Sequence, residues 1–103
     1  MAGSESRRSP RVALSIRLVL RIPLELSGER EGSSCSAETA VVNQHGALVL
    51  SQMPFSVGEI VQVENMRNGI GARFKIVWYG GEDFPGRHKL GLEMVDHRAA
   101  FWG

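Results

Sequence analysis

Apolar and polar residues alternate in the first part of the chain. Every even position from 14 to 26 is Leu or Ile, whereas the odd positions include Arg17 and Arg21. Because successive side chains of a strand point to opposite faces, this pattern predicts a strand over residues 12–26 with the even positions in the core. Pro23 has no backbone N–H to donate, so we expect the strand to bend there, at an edge or a bulge.

Short segments with high β propensity follow and are separated by turn signals. The predicted strands cover residues 37–43, 47–50, 60–64, 72–79 and 88–95, with Ala72, Phe74, Ile76, Trp78, Leu90, Leu92 and Met94 facing inward. Segments 28–36 and 80–86 contain glycine and polar residues and are predicted loops. Residues 43–46 have the composition of a turn.

The remaining turn signals complete an all-β pattern. Asn68 and Gly69 both tolerate positive φ and predict a β-hairpin. One helical turn is expected over residues 96–100, with Asp96 as its cap. Six short strands and almost no helical periodicity predict a small six-stranded antiparallel β-barrel. Since such a barrel has a packed interior, we expect binding residues on its rim and its loops.

Length and charge limit the classes of partner. A chain of 103 residues has room for a single core, so we expect one barrel domain, over residues 12–103. Residues 1–11 are expected to form a flexible N-terminal arm ahead of it. Twelve Lys and Arg against eleven Asp and Glu leave a formal charge of +1. Bulk attraction to a nucleic acid polymer is therefore not expected, and an anion site needs local clustering of positive charge.

The single cysteine and the apolar segments indicate the cellular compartment in which the protein is expected. Cys35 has no second cysteine to pair with, which is compatible with a reducing compartment, and we expect a surface or half-buried side chain. The apolar residues between 14 and 26 are interrupted by charges and too few to span a bilayer, and no signal peptide is recognisable. The sequence predicts a cytoplasmic protein without membrane insertion.

Candidate catalytic groups are few. His45, His88 and His97 are not spaced as ligands on one element, so no metal site is expected. Glu82 and Asp83 are neighbours that point apart and make a poor acid–base pair. No serine lies in a motif that marks a nucleophile. The sequence predicts a protein that is not an enzyme, with no catalytic residues, no metal and no cofactor.

Single-stranded nucleic acids bind small barrels through stacking on aromatic side chains. The alternation places Phe74 and Trp78 in the core and leaves Tyr79, Phe84 and Trp102 as candidate stacking residues. With a charge near zero, a nucleic acid polymer is not the predicted partner.

Two short motifs lie in order along the chain. Residues 7–11 read Arg-Arg-Ser-Pro-Arg, in which Arg7 and Arg11 form an Arg-x-x-x-Arg that Pro10 holds extended. Residues 41–48 read Val-Val-Asn-Gln-His-Gly-Ala-Leu. From Arg7 to Val95 the chain resembles the PilZ family of bacterial cyclic di-GMP receptors. That family carries the arginine motif before its first strand and Asp/Asn-x-Ser-x-x-Gly before an apolar strand.

The resemblance implies a PilZ-type barrel with cyclic di-GMP as its ligand. Arg7 and Arg11 would be the main contacts, assisted by Arg8, because an arginine fork can bond a phosphate bidentately or take guanine O6 and N7 together. Asn43 would bond the ligand through its amide. Gly46 would adopt a positive φ and let the ligand approach closely. Binding would order the arm and present a new surface to a protein partner.

The second motif departs from the family pattern. Alignment on Gly46 puts Val41 at the acidic or amide position and Asn43 at the serine, whereas the other register puts His45 on the serine and Leu48 on the glycine. The alternative interpretation is therefore a degenerate PilZ-like domain that has lost the nucleotide and acts as a protein-interaction module. Without the resemblance, the arginines are typical of a solvated basic tail and residues 43–46 of an ordinary β-turn.

Overall fold

In the residues that the structure describes, the regular secondary structure is entirely β. The computed structural model describes residues 12–23, 34–84, 86–98 and 100–103. Its strands are β1 (Val12–Ala13), β2 (Arg17–Arg21), β3 (Ser34–Val42), β4 (Gly46–Ser51), β5 (Ile60–Asn65), β6 (Gly71–Phe84) and β7 (Arg87–Met94). Within these ranges no helix is long and apolar enough to cross a membrane.

The strands close into a barrel. Hydrogen-bonded neighbours follow the order β3, β2, β5, β6, β7 and β4, and β4 pairs back with β3. All of these pairings are antiparallel. β1 also pairs with β3, at residues 41–42, which follow the residues 34–38 that pair with β2. β1 and β2 are therefore two halves of one barrel strand. The predicted six-stranded antiparallel barrel is confirmed.

The first barrel strand is interrupted, whereas the sequence predicts it to be continuous. The break covers residues 14–16, and β2 ends at Arg21 instead of bending at Pro23. At the break, the side chain of Thr39 in β3 bonds the backbone of the interrupted segment. The backbone N–H of Ile16 donates to Thr39 Oγ1 at 2.8 Å. Predicted strand residues 24–26 lie outside the described residues.

The barrel interior holds the core. Its buried apolar side chains include Ile16, Leu18, Leu20, Ile22, Val49, Phe55, Val61, Val63, Phe74, Ile76, Leu90, Leu92 and Phe101. Ile16, Leu18, Leu20 and Ile22 face inward as predicted, and Leu14 is partly buried against the core. Cys35 is buried at 8 % exposure, so the prediction of a surface or half-buried thiol is wrong. The reason is strand parity, because β3 begins at Ser34 rather than at residue 37 and turns Cys35 inward.

Asn68 and Gly69 lie in the predicted hairpin, between β5 and β6, but only Gly69 has a positive φ, at 77°. Asn68 instead stabilises the turn through hydrogen bonds of its side chain. Its Oδ1 accepts a hydrogen bond from Ile70 N at 2.9 Å, and its Nδ2 donates to the Phe101 carbonyl at 3.2 Å. The hairpin therefore also anchors the C-terminal segment.

The second long hairpin joins β6 to β7. Residues 80–84 belong to β6, so the predicted loop over 80–86 is wrong. Gly81 (φ 91°) and Gly86 (φ 81°) supply the unusual backbone angles that let the strands twist and turn. The predicted helical turn at 96–100 is also wrong, since the described residues there form bends and a turn closed by a hydrogen bond from Phe101 N to Arg98 O at 3.0 Å.

Candidate functional site

A groove of about 530 Å³ lies on the outside of the barrel, where the turn between β3 and β4 meets β6 and β7. We call it the turn groove. Its walls are formed by Val41, Val42, Asn43, His45, Gly46, Ala47, Leu48, Val77, Trp78, Gly91, Leu92 and Glu93. Two of the residues predicted as ligand contacts, Asn43 and Gly46, are therefore brought together in one groove.

Asn43 shapes the turn between β3 and β4. Its Oδ1 accepts hydrogen bonds from the backbone N–H groups of His45 (2.8 Å) and Gly46 (2.9 Å). Its own N–H donates to the Gly46 carbonyl at 2.9 Å. Such local bonding is the reason that Asn is favoured in turns. Because both acceptor positions of Oδ1 are used within the turn, the Nδ2 group is the part of Asn43 left for a ligand.

Gly46 lies where β4 passes close to β7. Its φ is not positive, so the predicted left-handed conformation is wrong. A Cβ on Gly46 would lie 2.1 Å from the carbonyl oxygen of Leu92, closer than real Cβ atoms approach. Glycine is therefore required here by strand packing. Gly46 would affect a ligand only indirectly, through the path that the backbone takes in the turn between β3 and β4.

A β-bulge at Ala40 decides where Val41 points. The register of β3 against β4 shifts between Thr39 and Val41. As a result Thr39 and Val42 are buried, whereas Val41 is partly exposed and lines the turn groove. A side chain at position 41 therefore faces the groove, at the place where the resemblance expects an acidic residue or an amide.

Trp78 forms one wall of the turn groove, although the alternation in β6 predicts it in the core. The register of β6 against β7 shifts between Ile76 and Trp78, so Val77 is a bulge and the alternation breaks there. The Trp78 residue is 47 % exposed. Its indole covers Gly80, since a Cβ on Gly80 would lie 2.1 Å from Trp78 Cη2. The prediction for Trp78 is wrong, and the groove has an aromatic wall.

Polar side chains add hydrogen-bonding capacity to the groove. Glu93 in β7 is exposed and lies opposite Gly46 of β4 and Lys75 of β6. The rings of His45 and His97, both exposed, have centroids 6.0 Å apart. A carboxylate accepts N–H groups, and an imidazole can donate or accept. Across the residues that the structure describes, no three His, Cys, Asp or Glu side chains form a group that could hold a metal ion.

The predicted N-terminal arm precedes a strand that lies beside this groove. The arm arginines Arg7, Arg8 and Arg11 lie outside the described residues. The structure does describe the attachment point, where Val12 pairs with Val42 and Ala13 pairs with Val41 in β3. Val41 and Val42 both line the turn groove. The residues that directly follow the predicted arm thus pair with the strand that forms the groove wall.

The other candidate stacking residues lie in different surroundings. Tyr79 is 41 % exposed, and its ring stacks on that of His88 at a centroid distance of 6.1 Å. Trp102 packs edge-on against Phe101 at 4.7 Å and is only partly exposed, so it is not the open platform that the sequence suggested. The side chain of Phe84 lies outside the described residues.

Comparison with known proteins bears on the fold. No family model matches the chain, and no curated protein matches it. Its structure is similar to that of the Bacillus subtilis inhibitor of motility (MotI/DgrA), with a TM-score of 0.68 and 12 % sequence identity over 91 % of this chain. The fold is PilZ-like. The chain spans 44 % of the length of the motility inhibitor.

Trp78 and Glu93 line the turn groove and were not predicted as site residues from the sequence. The signal for Trp78 is the run of four large apolar or aromatic residues at 76–79, where a regular half-exposed strand would alternate. Glu93 has no local signal, because its place in the groove depends on the pairing of β7 with β4.

Proposed function

We propose that this PilZ-like domain binds cyclic di-GMP in the turn groove, with Arg7 and Arg11 as the main contacts and Arg8 assisting. The observation that carries the proposal is the attachment of the arm. β1 pairs with Val41 and Val42, which are groove residues. An arm that begins there can place its guanidinium groups over a ligand in the groove without a change in the barrel.

The groove chemistry suits a guanine nucleotide. The aromatic face of Trp78 offers a surface on which a base can stack, because every base has a π-face. The carboxylate of Glu93 can accept a hydrogen bond from the exocyclic amino group of guanine. The arginines would then bond the phosphates, where a planar fork gives bidentate contacts. Asn43 would contribute its Nδ2 donor.

Ligand binding would be transmitted through the arm. Residues 1–11 contain few apolar side chains that could anchor them on the barrel. We propose that the ligand fixes these residues by bonding the arginines and so creates a new surface for a protein partner. Amide exchange of residues 1–11 is expected to slow when cyclic di-GMP is added. Equal exchange with and without the ligand would contradict this mode of signalling.

Isothermal titration calorimetry tests the proposal. Removing one hydrogen bond to a charged group costs about 1.5–3 kcal/mol, which corresponds to roughly tenfold to more than a hundredfold in affinity. We expect Arg7→Ala and Arg11→Ala each to weaken cyclic di-GMP binding by that factor. Arg67→Ala is the matched control, because Arg67 is exposed in the turn between β5 and β6. No heat from the wild type at high ligand concentration would reject the proposal.

A second function, a protein-interaction module, is favoured by one surface feature. Val77, Trp78 and Tyr79 are consecutive and all exposed, at 43, 47 and 41 %. The bulge at Val77 brings them outward together, which leaves an apolar strip on the barrel. This function takes precedence if the wild type does not bind the nucleotide.

A further inference from the structure

A second groove, of about 330 Å³, lies on the outside of the barrel across β2, β3 and β4. We call it the strand groove. Its walls include Arg17, Ser36, Glu38, Leu50, Gln52 and Arg87. It shares no lining residue with the turn groove and lies at the other end of the β3–β4 hairpin, where Glu38 pairs with Leu50. The strand groove is therefore a separate candidate site.

Two arginines reach the strand groove from opposite sides of β3. Arg17 lies in β2, directly opposite Glu38 in the register with β3, and it is exposed. Arg87 begins β7, on the far side of β4, and its Nη2 lies 3.7 Å from Glu38 Oε1. Two guanidinium groups thus flank a single carboxylate, and the groove carries an excess of positive charge.

Glu38 neutralises this charge only in part. Its Oε2 accepts a hydrogen bond from Ser15 Oγ at 2.6 Å, so the carboxylate is shared between that hydroxyl and Arg87. The side chains of Arg87 and Glu38 are 43 and 47 % exposed, and an exposed ion pair contributes little free energy. In the part of the chain that the structure describes, the Arg17 side chain makes no hydrogen bond or ion pair. Both guanidinium groups can therefore bind an anion without breaking a strong interaction.

Neutral donors lie beside the arginines. Gln52 Oε1 accepts a hydrogen bond from Ser36 N at 3.1 Å, which holds the side-chain amide and leaves its Nε2 to donate. Ser36 lies on the same outward face of β3 as Glu38, two residues along the strand. A phosphate monoester has three terminal oxygens and a charge close to −2, enough to meet two arginine forks and neutral donors together. A carboxylate has oxygens for one fork only.

We propose that the strand groove binds a phosphate monoester through the guanidinium groups of Arg17 and Arg87, with Ser36 and Gln52 as neutral donors. Its lining offers no aromatic side chain on which a base could stack, so the phosphate group itself is recognised. The source of the phosphate is either a small free anion or a phosphorylated side chain of another protein. The site does not depend on cyclic di-GMP binding in the turn groove.

An NMR titration of the isotopically labelled full chain at constant ionic strength tests the proposal. The two probes are inorganic phosphate and blocked phosphoserine, which is acetylated at its amino group and amidated at its carboxyl group. We expect either probe to shift the Ser36 backbone amide and the Gln52 side-chain amide. The backbone amides of Asn43 and His45, in the turn groove, should not shift. If neither probe shifts the signals of Ser36 and Gln52, the proposal is overturned.

The relative affinity of the two probes identifies the source of the phosphate. Tighter binding of inorganic phosphate supports a small free anion, because the groove then gains nothing from a peptide backbone. Tighter binding of blocked phosphoserine supports a phosphorylated side chain of a partner protein. Blocked serine without the phosphate is the control probe and should cause no shifts. Equal shifts with blocked serine would overturn recognition of the phosphate.

Substitutions assign the contacts. Arg17→Gln and Arg87→Gln should each weaken binding of both probes by about threefold to tenfold, because a charged hydrogen bond is lost and solvent screens part of its energy. Glu38→Gln should strengthen binding by about twofold to fivefold, since it removes the competing negative charge while its amide oxygen can still accept from Ser15. Arg67→Gln is the matched control, because it removes the same charge from an exposed turn outside the groove.

The variants separate a built site from attraction by net charge. Unchanged affinity in Arg17→Gln or Arg87→Gln overturns the proposal, as does an equal loss of affinity in Arg67→Gln. If one arginine variant does not fold, the other and Glu38→Gln decide. Binding of phosphate by a wild type that does not bind cyclic di-GMP would reject the proposed function and support the strand groove. Binding of cyclic di-GMP alone would have the opposite meaning.

Discussion

Gly46 faces the Leu92 carbonyl so closely that a Cβ at position 46 would lie 2.1 Å from that oxygen. The neighbour is backbone of β7 and cannot swing aside as a side chain would. We therefore predict that Gly46→Ala separates β4 from β7 and lowers the free energy of unfolding by about 1–3 kcal/mol or more, as overpacking does. Chemical denaturation measures the change.

Gly71→Ala is the control for this prediction. Gly71 also lies in a strand and has no positive φ, but its nearest neighbour is the flexible Gln62 side chain, with Nε2 3.2 Å from the Cβ position. We expect a much smaller loss of stability. Equal losses for the two variants would show that the approach of Gly46 to Leu92 is not the cause.

Phe101 closes one end of the core through a contact that is distant in sequence. It is fully buried, its ring centroid is 5.1 Å from that of Phe74, and its carbonyl accepts a hydrogen bond from Asn65 Nδ2 at 2.8 Å. Phe101→Ala should destabilise the protein by about 3–5 kcal/mol, because a buried aromatic residue is replaced by a cavity. Thermal melts measure it. Val95→Ala, at an exposed position, should change stability by no more than about 0.5 kcal/mol.

The barrel could be predicted from sequence because its strands bury one face. Ile16, Leu18 and Leu20 are buried while the residues between and after them are more exposed, and this period of two fixes both the strand and its inward face. The turn at Asn43 was predictable for a similar reason, since its side-chain bonds are local and depend on residue type.

The groove could be predicted only in part because it depends on irregularities of the strands. The outward position of Val41 follows from the bulge at Ala40, and that of Trp78 from the bulge at Val77. A bulge changes parity without an obligatory residue type, so regular alternation assigns Trp78 to the wrong face. The insertion of Thr39 between β1 and β2 depends on a partner more than twenty residues away in sequence, Ile16.

Trp78 should contribute to ligand affinity and little to the stability of the fold. Its residue is 47 % exposed and lines the turn groove. Stacking of a base on an aromatic side chain is worth about 1–3 kcal/mol, so Trp78→Ala should weaken cyclic di-GMP binding by roughly fivefold to more than a hundredfold. Val57→Ala is the control, at a position 62 % exposed and outside the groove residues. Calorimetry that shows equal affinities for both variants would place the base elsewhere.

Val41 offers the sharpest test of whether the degenerate motif still binds the nucleotide. Since its side chain lines the groove, Val41→Asp introduces a carboxylate at a partly exposed position, not in the core. We expect thermal melts close to those of the wild type. Each well-placed hydrogen bond contributes about 0.5–1.5 kcal/mol, so affinity for cyclic di-GMP should rise by roughly twofold to tenfold. Val41→Asn separates the effect of hydrogen bonding from that of charge.

Asn43→Ser must be tested separately from Val41→Asp, because Asn43 accepts two hydrogen bonds that hold the turn. Serine forms such turns more weakly, so this variant should melt earlier even if it restores the family residue. A folded Val41→Asp variant with unchanged affinity would show that the register on Gly46 is wrong or that the ligand lies outside the groove. If only the variant binds and the wild type does not, the domain is a receptor that lost its nucleotide, and the interaction-module function is the correct one.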